Sequence, residues 1–189
     1  MLILDGTRKG ESDPAPVRAA LENELGAKGW TSEVVELRDL VISACTGCFN
    51  CWIKTPGICT IDDDARKVSR KWVGSDLVIL LSPVTFGGYS SVLKTMMDRN
   101  IGIVLPLFGK VEGKVHHKKR YERYPVLLGI GIAPAPDAES EKIFKELVHR
   151  NSLNMYAPNQ FATVLSGNIG PEQLEREVRA LLDKVGVAA

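Results

Sequence analysis

Short apolar runs alternate along the chain with segments in which apolar side chains recur every three or four positions. A short apolar run bounded by turn residues is typical of a buried strand, and the helical spacing predicts an amphipathic helix. The pattern predicts strands at residues 2–6, 32–37, 76–84, 125–132 and 161–167. It predicts helices at residues 16–28, 65–74, 90–100 and 140–151, and a last helix from Pro171.

This alternation predicts an α/β fold, with a parallel sheet and helices on both faces. Residues 77–81 (LVILL) are apolar throughout, as expected of a central strand that is covered on both sides. With right-handed crossovers, the five strands favour a flavodoxin-like doubly wound five-stranded parallel sheet, order 2-1-3-4-5. Such a sheet binds its ligand beyond the carboxyl ends of the first and third strands. No shift in composition marks a boundary, so residues 1–189 are predicted to form a single domain.

The composition is that of a soluble globular protein, with 44% hydrophobic and 25% charged residues and a net charge of +1. This charge gives no reason to expect a nucleic-acid or membrane partner. The apolar start of the chain is too short for a signal peptide, and no apolar run approaches the roughly 18 residues of a membrane span. We therefore expect a cytoplasmic protein, in which thiols stay reduced.

All four cysteines, Cys45, Cys48, Cys51 and Cys59, lie in one segment with the pattern C-x2-C-x2-C-x7-C. In a reducing compartment a disulfide framework is disfavoured, so clustered thiols point to metal binding or redox chemistry. Three aspartates follow at residues 62–64, where negative charge favours the start of a helix.

The first candidate binding loop, GTRKGESDP, follows the first predicted strand. Its glycines permit a tight turn, Thr7 and Ser12 supply hydroxyls, and the next helix supplies free N–H groups. Together with Arg8 or Lys9 these groups make a phosphate cradle. The alternative is an ordinary loop with solvated basic side chains.

Two further loops lie at the same predicted edge. In the loop after the third strand, Gly87 and Gly88 let the backbone approach a flat ligand, and Phe86 or Tyr89 can pack against it. The alternative is that Phe86 is a core residue. The loop after the fourth strand, GIGIAPAPDAES, leaves room for a ring system but offers no catalytic side chain.

Charged groups elsewhere have simpler interpretations. Lys94, Asp98 and Arg99 can form a solvated helix face. Residues 101–124 are predicted to be one long loop, which is usually functional or part of an interface. In it, adjacent His116 and His117 would point to opposite sides of a strand, which disfavours joint ligation of one metal ion.

The combination of CTGCFNCWIKTPGICTIDDD, SDLVILLSPVTFGG and SSVLKTMMDR resembles the NADPH-dependent FMN reductase family, which is flavodoxin-like. The similarity is greatest to its iron–sulfur flavoprotein branch and covers roughly residues 1–99. It implies bound FMN, with NAD(P)H as co-substrate, and a flavin that carries the chemistry without a catalytic side chain.

The resemblance assigns positions to each part of FMN. Thr7, Lys9 and Ser12 would contact the FMN phosphate. The isoalloxazine and ribityl chain fall to Pro83, Val84, Thr85, Phe86, Gly87, Gly88 and Tyr89. The far side of the flavin falls to Gly131, Ile132 and Ala133. Backbone N–H groups of the second and third loops would set the redox potential.

The chain departs from the family pattern at both flavin loops. Thr7–Arg8–Lys9 stands where Ser–Pro–Arg is usual, and Asp13–Pro14 stands where Asn–Thr is usual. Asp13 would lie beside a phosphate of like charge. Thr85 stands where an aromatic residue is common, and Phe86 would take over its packing role.

For the four cysteines, the resemblance implies a possible 4Fe–4S cluster ligated by Cys45, Cys48, Cys51 and Cys59. Thiols that serve packing or dimer contacts are an alternative, because relatives with similar cysteines hold no known cluster. Zinc, which structural sites more often bind through two separated pairs, and a disulfide complete the alternatives.

The sequence thus predicts an FMN-dependent oxidoreductase, either an NAD(P)H-dependent FMN or quinone reductase or an iron–sulfur flavoprotein. A nicotinamide or a ferredoxin-type carrier would donate electrons, and a homo-oligomer, dimer or tetramer, would cover the cysteine segment and the basic loop at residues 110–124. That loop would hold the 2′-phosphate of NADPH or a neighbouring flavin, or else be solvated. The alternative functions are a non-enzymatic electron carrier and a thiol-based redox-sensing protein that has lost FMN.

Overall fold

The computed structural model describes residues 1–11, 14–111, 113–135 and 137–186. The strands of the described residues are β1 (Leu2–Asp5), β2 (Glu33–Glu36), β3 (Leu77–Pro83), β4 (Val104–Val111), β5 (Lys114–Lys119), β6 (Val126–Ala133) and β7 (Gln160–Ser166). The helices are α1 (Ala15–Ala27), α2 (Asn50–Ile53), α3 (Ala65–Val73), α4 (Ser91–Arg99), α5 (Ala138–Asn154) and α6 (Pro171–Val185). Short 3₁₀ turns occupy Leu37–Asp39 and Asn100–Ile103.

The main sheet has five parallel strands in the order β2-β1-β3-β6-β7. Apart from the inserted pair β4 and β5, this is the predicted order 2-1-3-4-5, so the fold prediction is confirmed. The reason lies in the apolar sequence of β3, six of whose seven residues are buried. Such burial requires a central strand with helices on both sides.

Alternate side chains of the strands divide the core between the two faces of the sheet. Leu2 and Leu4 point to the face that α3, α4 and α5 cover, while Ile3 points to the face that α1 and α6 cover. Fully buried Trp72 and Phe144 fill the first face. Helices cover both faces of the sheet, so the loops that follow the strands lie along the edge formed by the strands' carboxyl ends.

The segment between α4 and β6 differs from the predicted long loop. After the turn at Asn100–Ile103, β4 and β5 form a separate antiparallel ribbon in which Phe108 pairs with His117. The prediction of an irregular loop was wrong because mixed polar and apolar residues in KVHHKK hide the strand pattern, and the ribbon has no partner in the main sheet.

Helix α4 links two parts of the molecule. Its N-cap, Ser90, lies at the carboxyl edge of the sheet, where its hydroxyl donates to the Gly6 carbonyl and its N–H donates to Ser82 Oγ at 2.9 Å. Its other end, at Arg99, lies beside the cysteine segment. Within the described part of the chain, no helix has the length and apolar character needed to cross a membrane.

Candidate functional site

The loop after β1 holds a buried hydroxyl with no partner. Thr7 is fully buried, and its Oγ1 makes no hydrogen bond to any residue that the structure describes. Its backbone N–H donates to Asp5 Oδ1 at 2.8 Å, and Arg18 Nη1 lies 2.5 Å from the other oxygen of Asp5. Asp5 therefore fixes the backbone of the loop, while the Thr7 hydroxyl keeps an unused capacity for a hydrogen bond.

The basic residues of this loop lie beside acidic side chains, which the predicted phosphate cradle did not include. Arg8 pairs with Glu11, with Nη2 and Oε1 2.5 Å apart. Burial raises the pKa of Glu11, but the hydrogen bonds and charge of Arg8 outweigh burial and lower it overall. Lys9 is exposed, with Nζ 3.8 Å from Asp39, and so is free to turn toward an anion. Ser12 lies outside the described residues.

The loop after β3 is a tight turn closed by two backbone hydrogen bonds between Thr85 and Gly88, of 3.0 and 2.9 Å. At its tip Phe86 has φ 49° and Gly87 has φ 75°, so the turn needs left-handed backbone at both positions. The Phe86 side chain is 99% exposed. This excludes the alternative of a core residue and leaves a bare aromatic ring at the edge of the sheet.

Tyr89 lies on the other side of this turn, in the core. Its ring packs edge-on against Phe144 at 5.6 Å, and its hydroxyl accepts a hydrogen bond from Asn151 Nδ2 at 3.3 Å. Burial raises the pKa of Tyr89 to about 12. Of the two aromatic candidates, Phe86 has the ring that a flat ligand can reach.

The third group of predicted flavin-binding residues lies at the end of β6. The Val84 N–H donates to the Ile132 carbonyl at 2.9 Å, so Pro83, Val84 and Ile132 lie side by side at the carboxyl edge. The space beside Gly131 is already taken, because an added Cβ would lie 2.6 Å from Val84 Cγ2. Ala133 is buried, and its carbonyl accepts from the Gly167 N–H at 2.7 Å.

Sequence reasoning missed the polar residues that join these loops. Ser90 binds both Gly6 and Ser82, and so fastens the turn after β3 to the loop after β1. Asp5 fixes Thr7. Each had a signal: Asp5 is the one charged residue in an apolar strand, and Ser90 stands where a helix N-cap is expected.

The four cysteines line one cavity of about 480 Å³, the cysteine cavity, together with residues from the ends of α4 and α5. Cys45 and Cys48 are exposed, Cys59 is half-buried and Cys51 is buried, and all four are free thiols. All four predicted cysteines thus line the same cavity. The cavity lies at the far end of α4 from the carboxyl edge of the sheet.

A buried ion pair closes the cysteine segment. Arg99 Nη1 lies 2.7 Å from Asp63 Oδ2 and donates to the Ser43 carbonyl at 2.7 Å, while Nη2 donates to Asp63 Oδ1 at 2.9 Å. Asp63 Oδ2 also accepts from the Ser43 N–H at 2.9 Å. Arg99 is 4% exposed, so the solvated face predicted for Lys94, Asp98 and Arg99 holds for the first two only.

The thiols differ in their electrostatic surroundings. Burial, and then the charges of the other three cysteines, raise the pKa of the Cys51 thiol. Hydrogen bonds from the Asn50 N–H and the Thr46 hydroxyl lower the pKa of the Cys48 thiol. Burial lowers the pKa of Arg99, but Asp63 and the charge of Cys59 outweigh it and raise that pKa overall.

One wall of the cavity is aromatic. Phe49 stacks on Trp52 at 5.3 Å, and His117 lies between Trp52 at 4.7 Å and Phe108 at 4.6 Å. The Trp52 indole N–H donates to the Val104 carbonyl at 2.9 Å. The ribbon of β4 and β5 is thereby fixed against the cysteine segment. His116 instead contacts Asn154 at 2.8 Å, so the two histidines have separate partners.

In the described ranges, no three or more side chains of His, Cys, Asp or Glu lie close enough together to hold a single metal ion. Four thiols around one cavity are a different arrangement from a tetrahedral zinc site, where all donors converge on one ion. A 4Fe–4S cluster is larger than a single ion and is ligated by four cysteine thiolates. The four cysteines of the cavity fit that ligand set.

Comparisons with known proteins cover the part of the chain that carries the loops after β1 and β3 and the cysteines. A family model described as NADPH-dependent FMN reductase matches residues 1–117, which include the loops after β1 and β3 and all four cysteines. An iron–sulfur flavoprotein of Methanocaldococcus jannaschii is 41% identical over 101 residues, covering 52% of this chain and 51% of that protein. One of Archaeoglobus fulgidus is 36% identical over 115 residues, covering 60% of this chain and 51% of that protein.

Thus the chain matches about half the length of these curated relatives. Among solved structures, an NAD(P)H:quinone oxidoreductase from Methanothermobacter marburgensis has a TM-score of 0.69 at 16% identity, covering 95% of this chain and 94% of that one. An FMN-dependent NADH-azoreductase from Bacillus anthracis has a TM-score of 0.67 at 15% identity, with 97% of each chain covered. At these identities, the likeness establishes the shared fold.

Proposed function

The chain belongs to the NADPH-dependent FMN reductase family, and from this premise we propose that it is an FMN-dependent oxidoreductase of the iron–sulfur flavoprotein type, with NAD(P)H as a co-substrate. The observation that carries the proposal is the buried, unpartnered Thr7 hydroxyl at the carboxyl edge of β1. A phosphate oxygen at this position would accept its hydrogen bond.

The chain's own residues would bind and orient FMN. Thr7 would donate to the phosphate, Lys9 would turn toward it, and Ser12 would add a hydroxyl. The N-terminus of α1 adds a favourable dipole for an anion. Asp5 would act indirectly, since it holds the Thr7 backbone in place.

The turn from Pro83 to Tyr89 would lie along the isoalloxazine ring. Phe86 offers an exposed ring, and the left-handed turn at Gly87 brings the backbone to the edge of the sheet. Ile132 and Ala133 would flank the other side, while Gly131 would serve the packing of Val84 that supports the turn. Bound FMN would supply the transfer of hydride and single electrons.

We propose that Cys45, Cys48, Cys51 and Cys59 hold a 4Fe–4S cluster in the cysteine cavity. Cys45 and Cys48 lie in the loop before α2 and Cys51 lies in α2, where its buried thiol would be stabilised as a thiolate by bound iron. Two curated relatives of this chain carry the description iron–sulfur flavoprotein, which supports this assignment.

The nine residues of α4, roughly 13 Å at 1.5 Å per residue, separate the sheet edge from the cavity. We therefore propose a homo-oligomer in which the cysteine cavity of one protomer lies near the flavin of its partner. Exposed apolar side chains on the cysteine segment and on the ribbon support it: Phe49, Ile53, Ile58, Leu107, Phe108 and Val115.

The test is anaerobic purification, followed by flavin and iron assays and NADPH oxidation with a quinone acceptor. We expect one FMN per chain, about four irons per chain, and turnover. A protein that holds FMN but oxidises no nicotinamide would instead be an electron carrier, the second function that the sequence allowed. A protein that binds no FMN would contradict both.

A further inference from the structure

Two neighbouring residues at the end of α4 carry buried N–H groups that meet no acceptor among the residues that the structure describes. These groups are Arg99 Nε and Asn100 Nδ2. Arg99 is 4% exposed and Asn100 is 1% exposed, and both line the cysteine cavity. Leaving a buried donor unsatisfied costs about 1–3 kcal/mol. Two such donors at one cavity therefore indicate a bound group that accepts hydrogen bonds.

The rest of each side chain is already held in place. The two Nη atoms of Arg99 bind Asp63 and the Ser43 carbonyl. Asn100 Oδ1 accepts a hydrogen bond from Ser69 Oγ at 2.7 Å. Each residue is thus fixed by its other polar atoms, and each keeps one nitrogen without a hydrogen-bond partner in the described chain, in a residue that lines the cysteine cavity.

We propose that Arg99 Nε and Asn100 Nδ2 donate hydrogen bonds to the sulfur atoms of the iron–sulfur cluster held by the four cysteines, and so set its reduction potential. This inference rests on the cluster in the proposed function. Sulfur in such a cluster is an anionic acceptor, and hydrogen bonds to it are one of the factors that set the potential. A reduced cluster carries one more negative charge, so the donors and the cation of Arg99 stabilise it and raise the potential.

The test compares Asn100→Leu with Ser69→Ala. Asn100→Leu removes the donor at similar volume, whereas Ser69→Ala removes only the partner of Asn100 Oδ1 and leaves the Nδ2 donor in place. Each protein is reconstituted without oxygen, using ferrous iron and sulfide. Iron per chain is then measured, and the cluster is titrated with a reductant under electron paramagnetic resonance.

For Asn100→Leu we expect iron content like that of the wild type and a ratio of reduced to oxidised cluster about tenfold lower at a fixed solution potential. Tenfold corresponds to a midpoint 59 mV more negative for a one-electron couple. Ser69→Ala should stay within about twofold of the wild type. If Asn100→Leu folds poorly, the double variant Ser69→Ala/Asn100→Leu removes both hydrogen-bonding partners at once, which is better tolerated.

A wild-type midpoint in a fully loaded Asn100→Leu or double variant would overturn the inference and leave the proposed function standing. Wild-type protein that binds FMN but takes up no iron would overturn the inference together with the cluster, while the flavin assignment would survive. Failure to bind FMN is measured separately, so the failures are distinguishable.

Discussion

At the scale of single residues, the sheet edge is built from buried polar groups. Asp5, Thr7, Ser82 and Ser90 are each at most 1% exposed. Three of them are satisfied by one another or by nearby backbone, and the Thr7 hydroxyl is left over. Buried polar groups are normally paired, so the Thr7 hydroxyl, the exception among these four, is where we expect a ligand to bind.

Replacing Thr7 with Val should weaken FMN binding by about tenfold or more, since a hydrogen bond to a charged group contributes about 1.5–3 kcal/mol. The stability of the apo protein should change little, because the hydroxyl has no partner to lose. Flavin fluorescence titration measures the first effect and thermal unfolding the second. Thr95→Val, at a partly exposed position of α4 where the hydroxyl bonds only the Ser91 carbonyl, is the control and should bind FMN normally. Equal affinity of the Thr7 variant and the control would refute the phosphate contact.

Gly6 tests the close approach between the first loop and α4. An Ala Cβ would lie 2.6 Å from Leu93 Cβ, so Gly6→Ala should destabilise the fold by about 1–3 kcal/mol. Gly26 lies inside α1 with open space around it, so Gly26→Ala should stabilise by about 0.5–1 kcal/mol. Urea unfolding of both variants checks the contrast. Similar changes in the free energy of unfolding of the two variants would mean that Gly6 and Leu93 are less closely packed.

At the scale of elements, the sequence predicted the alternating strands and helices because their burial follows simple periods of two and 3.6. Helix α1 was predicted to within one residue at each end. The ribbon of β4 and β5 was missed because it rests on contacts distant in sequence, such as Trp52 with His117. Arg99 was missed for a related reason: its partner Asp63 is 36 residues away, and only the folded chain brings them together.

The pair of Asp63 and Arg99 should dominate the stability of the cysteine segment. Asp63→Asn leaves a buried guanidinium without its carboxylate and should cost about 3 kcal/mol at pH 7. Asp98→Asn, in the exposed pair with Lys94, should cost less than about 0.5 kcal/mol. Denaturant unfolding measures both, and protection of residues 43–61 from hydrogen exchange should fall only in the Asp63 variant.

The pH dependence of this pair has a definite sign. Burial raises the pKa of Asp63, but hydrogen bonds from Arg99 and Ser43 outweigh burial and lower it overall. A carboxyl whose pKa is lower in the folded state stabilises the fold above its unfolded pKa of about 3.9, and this stabilisation is lost as the pH falls further. The stability gap between wild type and Asp63→Asn should therefore be complete at pH 6 and shrink below pH 4. A gap that widens on acidification would contradict this assignment.

At the scale of the whole molecule, α4 has the carboxyl edge of the sheet at one end and the cysteine cavity at the other, and exposed apolar side chains lie on the cysteine segment and on the ribbon. The sequence predicted the α/β fold and named candidate residues for both places, and the four cysteines among them line one cavity. It could not predict that Tyr89 and Gly131 would serve the core, because both follow from packing across the sheet.

The proposed homo-oligomer can be tested by a substitution in the ribbon of β4 and β5. Val115 is 67% exposed, and Val115→Lys should shift the protein toward the monomer in sedimentation velocity, because it would place a charge in the proposed interface. Ala180→Lys adds the same charge on the exposed side of α6 and should leave the oligomer intact. A wild-type protein that is monomeric at all concentrations would exclude the interface.

The central claim is that the loops after β1, β3 and β6 together bind FMN. Its most direct test is a titration of oxygen-free apo protein with FMN, followed by quenching of flavin fluorescence. We predict saturation at one FMN per chain, with affinity reduced in Thr7→Val and unchanged in Thr95→Val. A folded wild-type protein that leaves flavin fluorescence unquenched would contradict the account.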